Sequence, residues 1–215
     1  MALGFIGGTG PEGRGLALRF ALAGENVLIG SRDAERANQA AQSVAELAPE
    51  GFISGRLNQD VAREADLLLV AVPYASHKET LASLRRELAG KVVVDLVAPL
   101  AFNKGWAEAI RVDEGSAALQ AQAILTESTV VAAFQTISAQ DLLVPDRTID
   151  SDVVVCADDK EAKDTAMRLA ETIQGVRAID GGGLVNARYV EDFTALLINI
   201  NRIYKAHSTI KIAGI

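Results

Sequence analysis

The sequence predicts an α/β fold, a Rossmann-type doubly wound parallel sheet with a small C-terminal α/β portion. Two continuous apolar runs, DLLLVAV (66–72) and KVVVDLV (91–97), are typical of strands buried on both faces of a parallel sheet. Short apolar runs alternate with alanine-rich helical patterns throughout the first half of the chain. A glycine-rich turn, GGTGPEG (7–13), joins the first predicted strand to the first predicted helix.

The elements follow from apolar periodicity and from their turn residues. In the first half we expect strands at 3–6, 27–29, 52–57, 66–72 and 91–97, and helices at 13–23, 33–48, 59–64 and 76–88. Beyond residue 97 we expect a loop at PLAFNKGW (99–106), strands at 128–134, 152–157 and 176–180, and helices at 116–125, 159–174 and 185–205. The chain therefore divides into a Rossmann domain (1–145) and a small C-terminal domain (146–215).

Composition limits the classes of function. A net charge of -7 on 215 residues argues against nucleic acid as the main partner. The longest apolar stretch, LLLVAVPYA (67–75), is too short to span a bilayer, and MALGFIGGTG does not resemble a signal peptide. The single cysteine, Cys156, fits a reducing cytoplasm and a small buried hydrophobe, and no Cys/His cluster has the spacing of a metal site. We expect a cytoplasmic protein without membrane attachment or metal.

The glycine turn carries the first functional motif. Gly8-Thr9-Gly10-Pro11-Glu12-Gly13 matches the G-x-G-x-x-G pattern of dinucleotide sites. Gly8 permits a tight turn, Gly10 lets the backbone approach a pyrophosphate, and Gly13 lets helix and strand pack closely. A P-loop is the competing interpretation, but Arg14-Gly15 follow where that motif needs Lys and Ser/Thr.

The second motif, LIGSRDAER (28–36), follows the second predicted strand. NAD sites place an acid here for the ribose hydroxyl, whereas this chain places Ser31 and Arg32. Arg36 is four residues after Arg32, so on a helix both would project from one face and suit the 2′-phosphate of NADP. Two alternatives remain. Both arginines could be solvated charges that bind no ligand. Asp33 could instead bind the ribose of NAD, although its position is better suited to the N-cap of the following helix.

No residue stands out as a nucleophile or an acid–base group, and we predict no catalytic residue. His77 is expected at the surface or as a helix cap, and His207 is expected to be exposed. Tyr74 and Lys78 match the Y-x-x-x-K pair of short-chain dehydrogenases. In those enzymes the pair lies much further along the chain, so chance is the better explanation here.

These segments resemble the F420-dependent NADP reductases along essentially the full length of the chain. The similarity is carried by GGTGPEGRGLALR (7–19), GSRDAERA (30–37), AVPY (71–74), VAP (97–99), VVAAFQTISA (130–139) and LVNARYVEDFTALLINI (184–200). The resemblance implies a nucleotide-binding domain with a small C-terminal domain, usually assembled as a homodimer. It also implies hydride transfer between C5 of a deazaflavin, coenzyme F420, and C4 of the nicotinamide of NADP.

The resemblance implies roles for individual residues. Thr9, Gly10, Pro11 and Glu12 would line the pyrophosphate, and Ser31, Arg32 and Arg36 would hold the 2′-phosphate. The loops with Val72, Pro73 and Tyr74 and with Ala98 and Pro99 would border the ribose and nicotinamide. Thr9, Ile137 and Ala139 would lie where the two rings stack, Gln135 would lie in the deazaflavin-facing strand, and Arg188 would face the deazaflavin side.

Three residues depart from the family pattern, and all concern the deazaflavin. Gln135 replaces a histidine, Ser138 a proline and Asp192 a serine. Two other functions therefore stay open at the level of sequence. One is an NADPH-dependent reductase of a small imine or ketone, with Tyr189, Asp192 or Tyr204 as candidate proton donors, and the other is a non-catalytic NADP-binding sensor.

Overall fold

The computed structural model describes residues 1–215, which form ten strands and eight α-helices. The strands are β1 (Ala2–Ile6), β2 (Asn26–Ser31), β3 (Phe52–Leu57), β4 (Leu67–Val70), β5 (Val92–Asp95), β6 (Leu100–Asn103), β7 (Trp106–Ala109), β8 (Thr129–Ala132), β9 (Ser151–Val155) and β10 (Val176–Asp180). The helices are α1 (Pro11–Leu22), α2 (Ala34–Ala45), α3 (Asn58–Glu64), α4 (Tyr74–Leu88), α5 (Ala117–Ile124), α6 (Ala139–Leu142), α7 (Lys160–Glu171) and α8 (Ala187–Tyr204), the last preceded by a 3₁₀ turn at Leu184–Asn186.

Six strands form one parallel sheet in the order β3-β2-β1-β4-β5-β8. Gly4 of β1 pairs with Leu28 of β2 on one side and with Leu68 of β4 on the other. The order reverses between β1 and β4, and in such sheets ligands bind in the crevice beyond the carboxyl ends of the strands at that point. The predicted fold class is therefore confirmed.

Helices cover both faces of this sheet. Leu3 and Phe5 belong to a cluster of 33 buried residues, whereas Ile6 belongs to a second cluster of 22. Successive side chains of a strand point to opposite faces, so these clusters are the two cores of a doubly wound sheet. The first includes residues of α1, α2 and α7, and the second residues of α4 and α5.

The C-terminal part adds a second, two-stranded parallel sheet of β9 and β10 with α7 beside it. An antiparallel bridge between Ala132 and Cys156 joins it to the large sheet. Phe134 and Val153 belong to the same buried cluster, so the core continues across the predicted boundary at 145/146. That division into domains stays a prediction. Cys156 is buried, and burial raises the pKa of its thiol to about 11.

Two sequence-based predictions about the fold are wrong. The expected loop at 99–106 contains a β-hairpin, β6–β7, which turns at Lys104 and Gly105 with positive φ at both. Its residues are mostly exposed, so no apolar alternation marked them as strands. His77, expected at the surface or as a cap, is completely buried on α4. None of the helices combines the length and apolar character needed to cross a bilayer.

Candidate functional site

The glycine loop lies between β1 and α1, and close packing explains the glycine at position 13. A Cβ on Gly13 would lie 2.6 Å from Cα of Gly8, so α1 can approach the loop only without a side chain there. The backbone N–H of Gly7 donates to Oδ1 of Asn58, 3.0 Å away, which anchors the loop to α3. Sequence reasoning missed Asn58, because only the folded chain brings it beside the loop.

Gly10 differs from its neighbours, because a Cβ on it would have no atom of the protein within 4 Å. The backbone there borders open space and is accessible to a ligand. Gly10 is also the N-cap of α1 without a side-chain hydrogen bond, and Pro11 opens the helix. The first turn therefore presents backbone N–H groups to that space, as expected of a pyrophosphate site.

A cavity of about 370 Å³ opens beside this loop, at the carboxyl ends of β1, β4 and β5. We call it the dinucleotide cleft. Its walls include eleven of the predicted cofactor-binding residues: Thr9, Gly10, Pro11, Glu12, Gly13, Arg36, Val72, Pro73, Tyr74, Ala98 and Gln135. Gly8 and Pro99 lie behind these walls, and the carbonyl of Pro99 accepts the N–H of Ile110. Leu96 and Val97 also line the cleft, although sequence reasoning did not select them.

The corner after β2 is arranged differently from the sequence-based prediction. Oδ1 of Asp33 accepts the N–H of Arg36, 3.0 Å away, so Asp33 is the N-cap of α2 as expected. Arg32 precedes the helix, and the idea that Arg32 and Arg36 share one helical face is wrong. Arg32 and Ser31 line a neighbouring cavity of about 400 Å³ between α3 and α4, whereas Arg36 lines the dinucleotide cleft.

Arg14 is a third arginine near Arg32 and Arg36, and we call these three residues the cationic corner. In the sequence analysis Arg14 served only to argue against a P-loop. It lines a small cavity with Thr9 and Arg36, and its Nε is buried without a hydrogen-bond partner. The ion pairs that arginines form in this protein involve neither Arg14, Arg32 nor Arg36. Three uncompensated guanidinium groups in an acidic chain fit a phosphate ligand.

A second cavity, also of about 370 Å³, lies on the other side of Glu12 and Gln135. We call it the C-terminal cavity, because α8 and the chain after it form one wall. Predicted residues Ile137 and Ala139 line it. Ser208 also lines it, and its hydroxyl is buried without a partner. Most of the polar residues that line this cavity are neutral, which fits a heterocyclic ring with several carbonyl and nitrogen atoms.

The two cavities share four lining residues: Glu12, Gln135, Thr194 and Ile198. Gln135 is fixed in this wall because its Nε2 donates to the carbonyl of Asp95, 2.9 Å away. The hydroxyl of Thr194 donates to the carbonyl of Gln135 at 3.0 Å. The preceding residue, Phe134, has a positive φ of 74°, which is the left-handed region. The chain turns there after β8, and Gln135 follows in the shared wall.

Arg188 is not brought into either cavity. Its guanidinium lies 4.6 Å from the ring centre of Tyr189 on the exposed side of α8, and it lines a separate cleft with Arg111. Asp192 lies in this same cleft. The predicted role of Arg188 toward a deazaflavin therefore stays a prediction. The positions of Ile137 and Ala139 in the C-terminal cavity do not depend on Arg188.

Ionisable groups lie in the shared wall and behind it. Burial, with the charge of Asp95, raises the pKa of Glu12 to about 8. Burial also raises the pKa of Glu191 to about 7, although its carboxylate accepts the N–H groups of Ala117 and Ala118 at the start of α5. His77 and Asp95 form a hydrogen-bonded pair nearby.

The comparison with known proteins agrees with this geometry. Residues 2–99 match the family described as NADP oxidoreductase, coenzyme F420-dependent. The F420-dependent NADP reductase of Methanothermobacter thermautotrophicus is 47% identical over 94% of this chain and 89% of its own. That of Methanocaldococcus jannaschii is 40% identical over 97% and 96%. A solved structure from Arthrobacter sp. FB24, assigned as an F420-dependent NADP reductase, superposes with a TM-score of 0.84 at 28% identity over 99% of each chain.

The relatives at 40–47% identity span nearly the whole length of both chains, well beyond the matched nucleotide-binding segment. On that similarity, this chain belongs to the F420-dependent NADP reductase family.

Proposed function

We propose that this protein transfers a hydride between reduced coenzyme F420 and NADP. One observation carries the proposal: the dinucleotide cleft and the C-terminal cavity meet at a wall of shared residues, centred on Glu12 and Gln135. Two ring substrates in these cavities would approach each other at that wall. Direct hydride transfer needs little else, because the substrates carry the reactivity and the protein supplies position and exclusion of water.

The residues of the dinucleotide cleft and of the two neighbouring cavities that hold Arg32 and Arg14 support NADP as one substrate. In this proposal the N–H groups at the start of α1 hold the pyrophosphate, and Ser31, Arg32, Arg36 and Arg14 surround the 2′-phosphate. The unpartnered Nε of Arg14 is a donor without an acceptor in the protein, and a phosphate oxygen would supply one. Val72–Tyr74 and Ala98–Pro99 border the ribose and nicotinamide.

The C-terminal cavity supports the deazaflavin as the other substrate. Thr9, Ile137 and Ala139 lie at the stacked rings in this proposal, and the free hydroxyl of Ser208 offers a further hydrogen bond. These are binding roles, and none of the residues acts as a nucleophile. The arrangement is consistent with a reaction in which positioning dominates.

We also propose a cytoplasmic homodimer with no nucleic-acid partner. Helix α8 exposes Tyr189, Phe193, Leu196 and Ile203, at 60%, 37%, 49% and 60% of their surface. Their spacing puts them near one face, and an apolar face of this kind on a regular helix supports association with a second copy.

A turnover assay tests the function. The protein is mixed with NADPH and oxidised F420, and the absorbance of both is followed in time. We expect NADPH to be consumed in step with F420 reduction, and the reverse with NADP and reduced F420. Tight NADPH binding without exchange would overturn the proposal in favour of a sensor, and NADPH-dependent reduction of a cyclic imine or a ketone without F420 exchange would favour the reductase alternative.

A further inference from the structure

Glu12 has a position that hydride transfer by itself does not require. Of the four residues shared by the two cavities, it alone ionises in the accessible pH range. It lies in the first turn of α1, where the loop and the helix N-terminus hold its backbone. Neither a hydrogen bond nor a cation compensates its carboxylate. An uncompensated carboxyl at the meeting point of two ligand cavities calls for a role.

The surroundings of Glu12 set its charge. Asp95, at the end of β5, is the neighbouring acid, and its charge together with burial raises the pKa of Glu12 to about 8. The other ionisable residues that line the two cavities are Arg36 and Tyr74 on the dinucleotide side and His207 on the C-terminal side. Helix α8 and the segment after β8 face Glu12 with neutral Thr194, Ile198 and Gln135. Glu12 is therefore expected to keep its proton to a higher pH than ordinary glutamates, which are ionised at neutral pH.

The proposed reaction produces a proton, and the following step rests on that proposed function. Reduced F420 and NADP⁺ give oxidised F420, NADPH and one proton. The hydride carries two electrons and one hydrogen nucleus from C5 of the deazaflavin to C4 of the nicotinamide. A second ring proton of the reduced deazaflavin is left, and it must go to a base when NADP⁺ is reduced and return from an acid in the opposite direction.

We propose that Glu12 is a catalytic residue, the proton acceptor and donor that accompanies hydride transfer. In the direction of NADP⁺ reduction its carboxylate takes the ring proton that the deazaflavin loses, and then passes it to water in the C-terminal cavity. In the direction of F420 reduction the neutral carboxyl supplies that proton. Glu12 is therefore neutral directly after hydride transfer to NADP⁺ and charged again once its proton has passed to water.

The first test needs no substrate. Carbon-13 NMR of glutamate-labelled, ligand-free protein follows each carboxyl from pH 5 to pH 10, and E12Q assigns the signal of Glu12. We expect one glutamate to titrate near pH 8 in the wild type and to be missing in E12Q. The control E50Q removes the same charge at an exposed residue and should keep that signal. An ordinary pKa for Glu12 would overturn the proposal.

The second test follows single turnovers of reduced F420 with NADP⁺ between pH 6 and pH 9.5. We expect the wild-type rate to rise through the pKa of Glu12, and the E12Q rate to be lower and independent of pH. A positioned acid or base contributes ~10²–10⁴ to a rate, and we expect the lower end, about 10²-fold, since water reaches the cavity. E12D should restore part of the rate together with its pH dependence. An E12Q profile that matches E50Q and the wild type would overturn the proposal.

Binding measurements separate this role from a structural one. E12Q should bind NADP⁺ at least as tightly as the wild type at pH 9, because it removes a negative charge next to a phosphate site. It should also melt no lower. A loss of rate with matching losses of affinity and melting temperature would overturn the role in proton transfer. If wild-type protein exchanges no hydride at all, the proposed function fails and this inference with it. If it does, and E12Q is unchanged, only the inference fails.

Discussion

Nε2 of His77 lies 2.7 Å from Oδ2 of Asp95, and both side chains are almost completely shielded from solvent. Nδ1 of His77 faces Oε1 of Gln120 at 3.3 Å. The other carboxylate oxygen of Asp95 accepts the N–H of Val97, and its backbone carbonyl accepts the side chain of Gln135. One buried pair therefore links α4 and α5 to the loop of the dinucleotide cleft and to the wall between the two cavities.

Replacing His77 with alanine should destabilise the protein strongly. The substitution leaves the buried carboxyl of Asp95 without its charged partner, and breaking such a pair costs roughly 3–5 kcal/mol. Chemical denaturation measures the free energy of unfolding of H77A. The neighbouring K78A, an exposed residue on the same helix, is the control and should stay within about 0.5 kcal/mol of the wild type. A loss for H77A as small as that of K78A would contradict the importance of the pair.

The same pair predicts how stability changes with pH. Burial lowers the pKa of His77, but the charge of Asp95 and the hydrogen bonds to Asp95 and Gln120 outweigh it and raise the pKa above the ordinary 6.5. The folded protein thus holds this proton more tightly than the unfolded chain. The contribution is complete below pH 6.5 and is lost as the pH rises through the folded-state pKa.

We therefore expect the stability difference between wild type and H77N to be largest at pH 6 and to shrink by pH 9. Taking this difference removes the parallel contribution of Glu12, whose raised pKa also lowers stability as the pH rises above its ordinary range. Glu191 interacts with the charge of His77, so its contribution is part of the measured difference. Denaturation curves of both proteins at several pH values provide the measurement. A difference that does not vary with pH would mean that folding leaves the pKa of His77 unchanged, and a difference that grows with pH would mean that folding lowers it.

His77 also marks a limit of sequence reasoning. The fold could be predicted because strands and the glycine turn are local patterns, each visible within about ten residues. A single histidine after Tyr74 has no such pattern. Its burial depends on Gln120 of α5 and on the end of β5, which only the folded chain brings together.

The site was predictable to the extent that it lies at strand ends. Positions such as Gly10 and Val72 follow directly from the strand–turn–helix order, and both line the cleft. The pairing of Arg32 with Arg36 on one helical face was not predictable in this way, because α2 begins only at Ala34, after its N-cap Asp33, and Arg32 precedes it. Arg14 was missed because its neighbour Arg36 is close only when α1 and α2 are folded.

Arg32 gives a direct test of cofactor choice. R32A should weaken NADP binding by roughly 1.5–3 kcal/mol, the usual value of a hydrogen bond to a charged group, and should affect NAD much less. Fluorescence titration or calorimetry gives both dissociation constants. R168A, which removes an exposed arginine from α7, should leave both constants unchanged. Equal losses of NADP and NAD affinity in R32A would mean that Arg32 does not recognise the 2′-phosphate.

Two glycines of the loop should respond to alanine in opposite ways. G13A puts a Cβ 2.6 Å from Cα of Gly8, and overpacking of this kind costs about 1–3 kcal/mol of stability. G10A meets no protein atom within 4 Å and should keep the free energy of unfolding within about 1 kcal/mol.

For NADP affinity we expect the larger loss in G10A, the variant with the smaller expected loss of stability. The new methyl group of G10A would occupy the space beside the pyrophosphate, so NADP affinity should fall by about tenfold or more in a well-folded protein. Thermal melting and NADP titration of the two variants are the measurements. Full NADP affinity in G10A would place the pyrophosphate somewhere other than at this loop.

The apolar face of α8 leads to the last prediction. L196E introduces a charge on a residue that is 49% exposed in the single chain, in the middle of the proposed dimer contact. A charge buried in an apolar interface without a partner is costly, so L196E should be a monomer under conditions in which the wild type is a dimer. L47E alters a similarly exposed leucine (41%) just after α2 and should keep the wild-type mass. Light scattering coupled to gel filtration measures these masses, and equal masses for both variants and the wild type would exclude α8 as the contact.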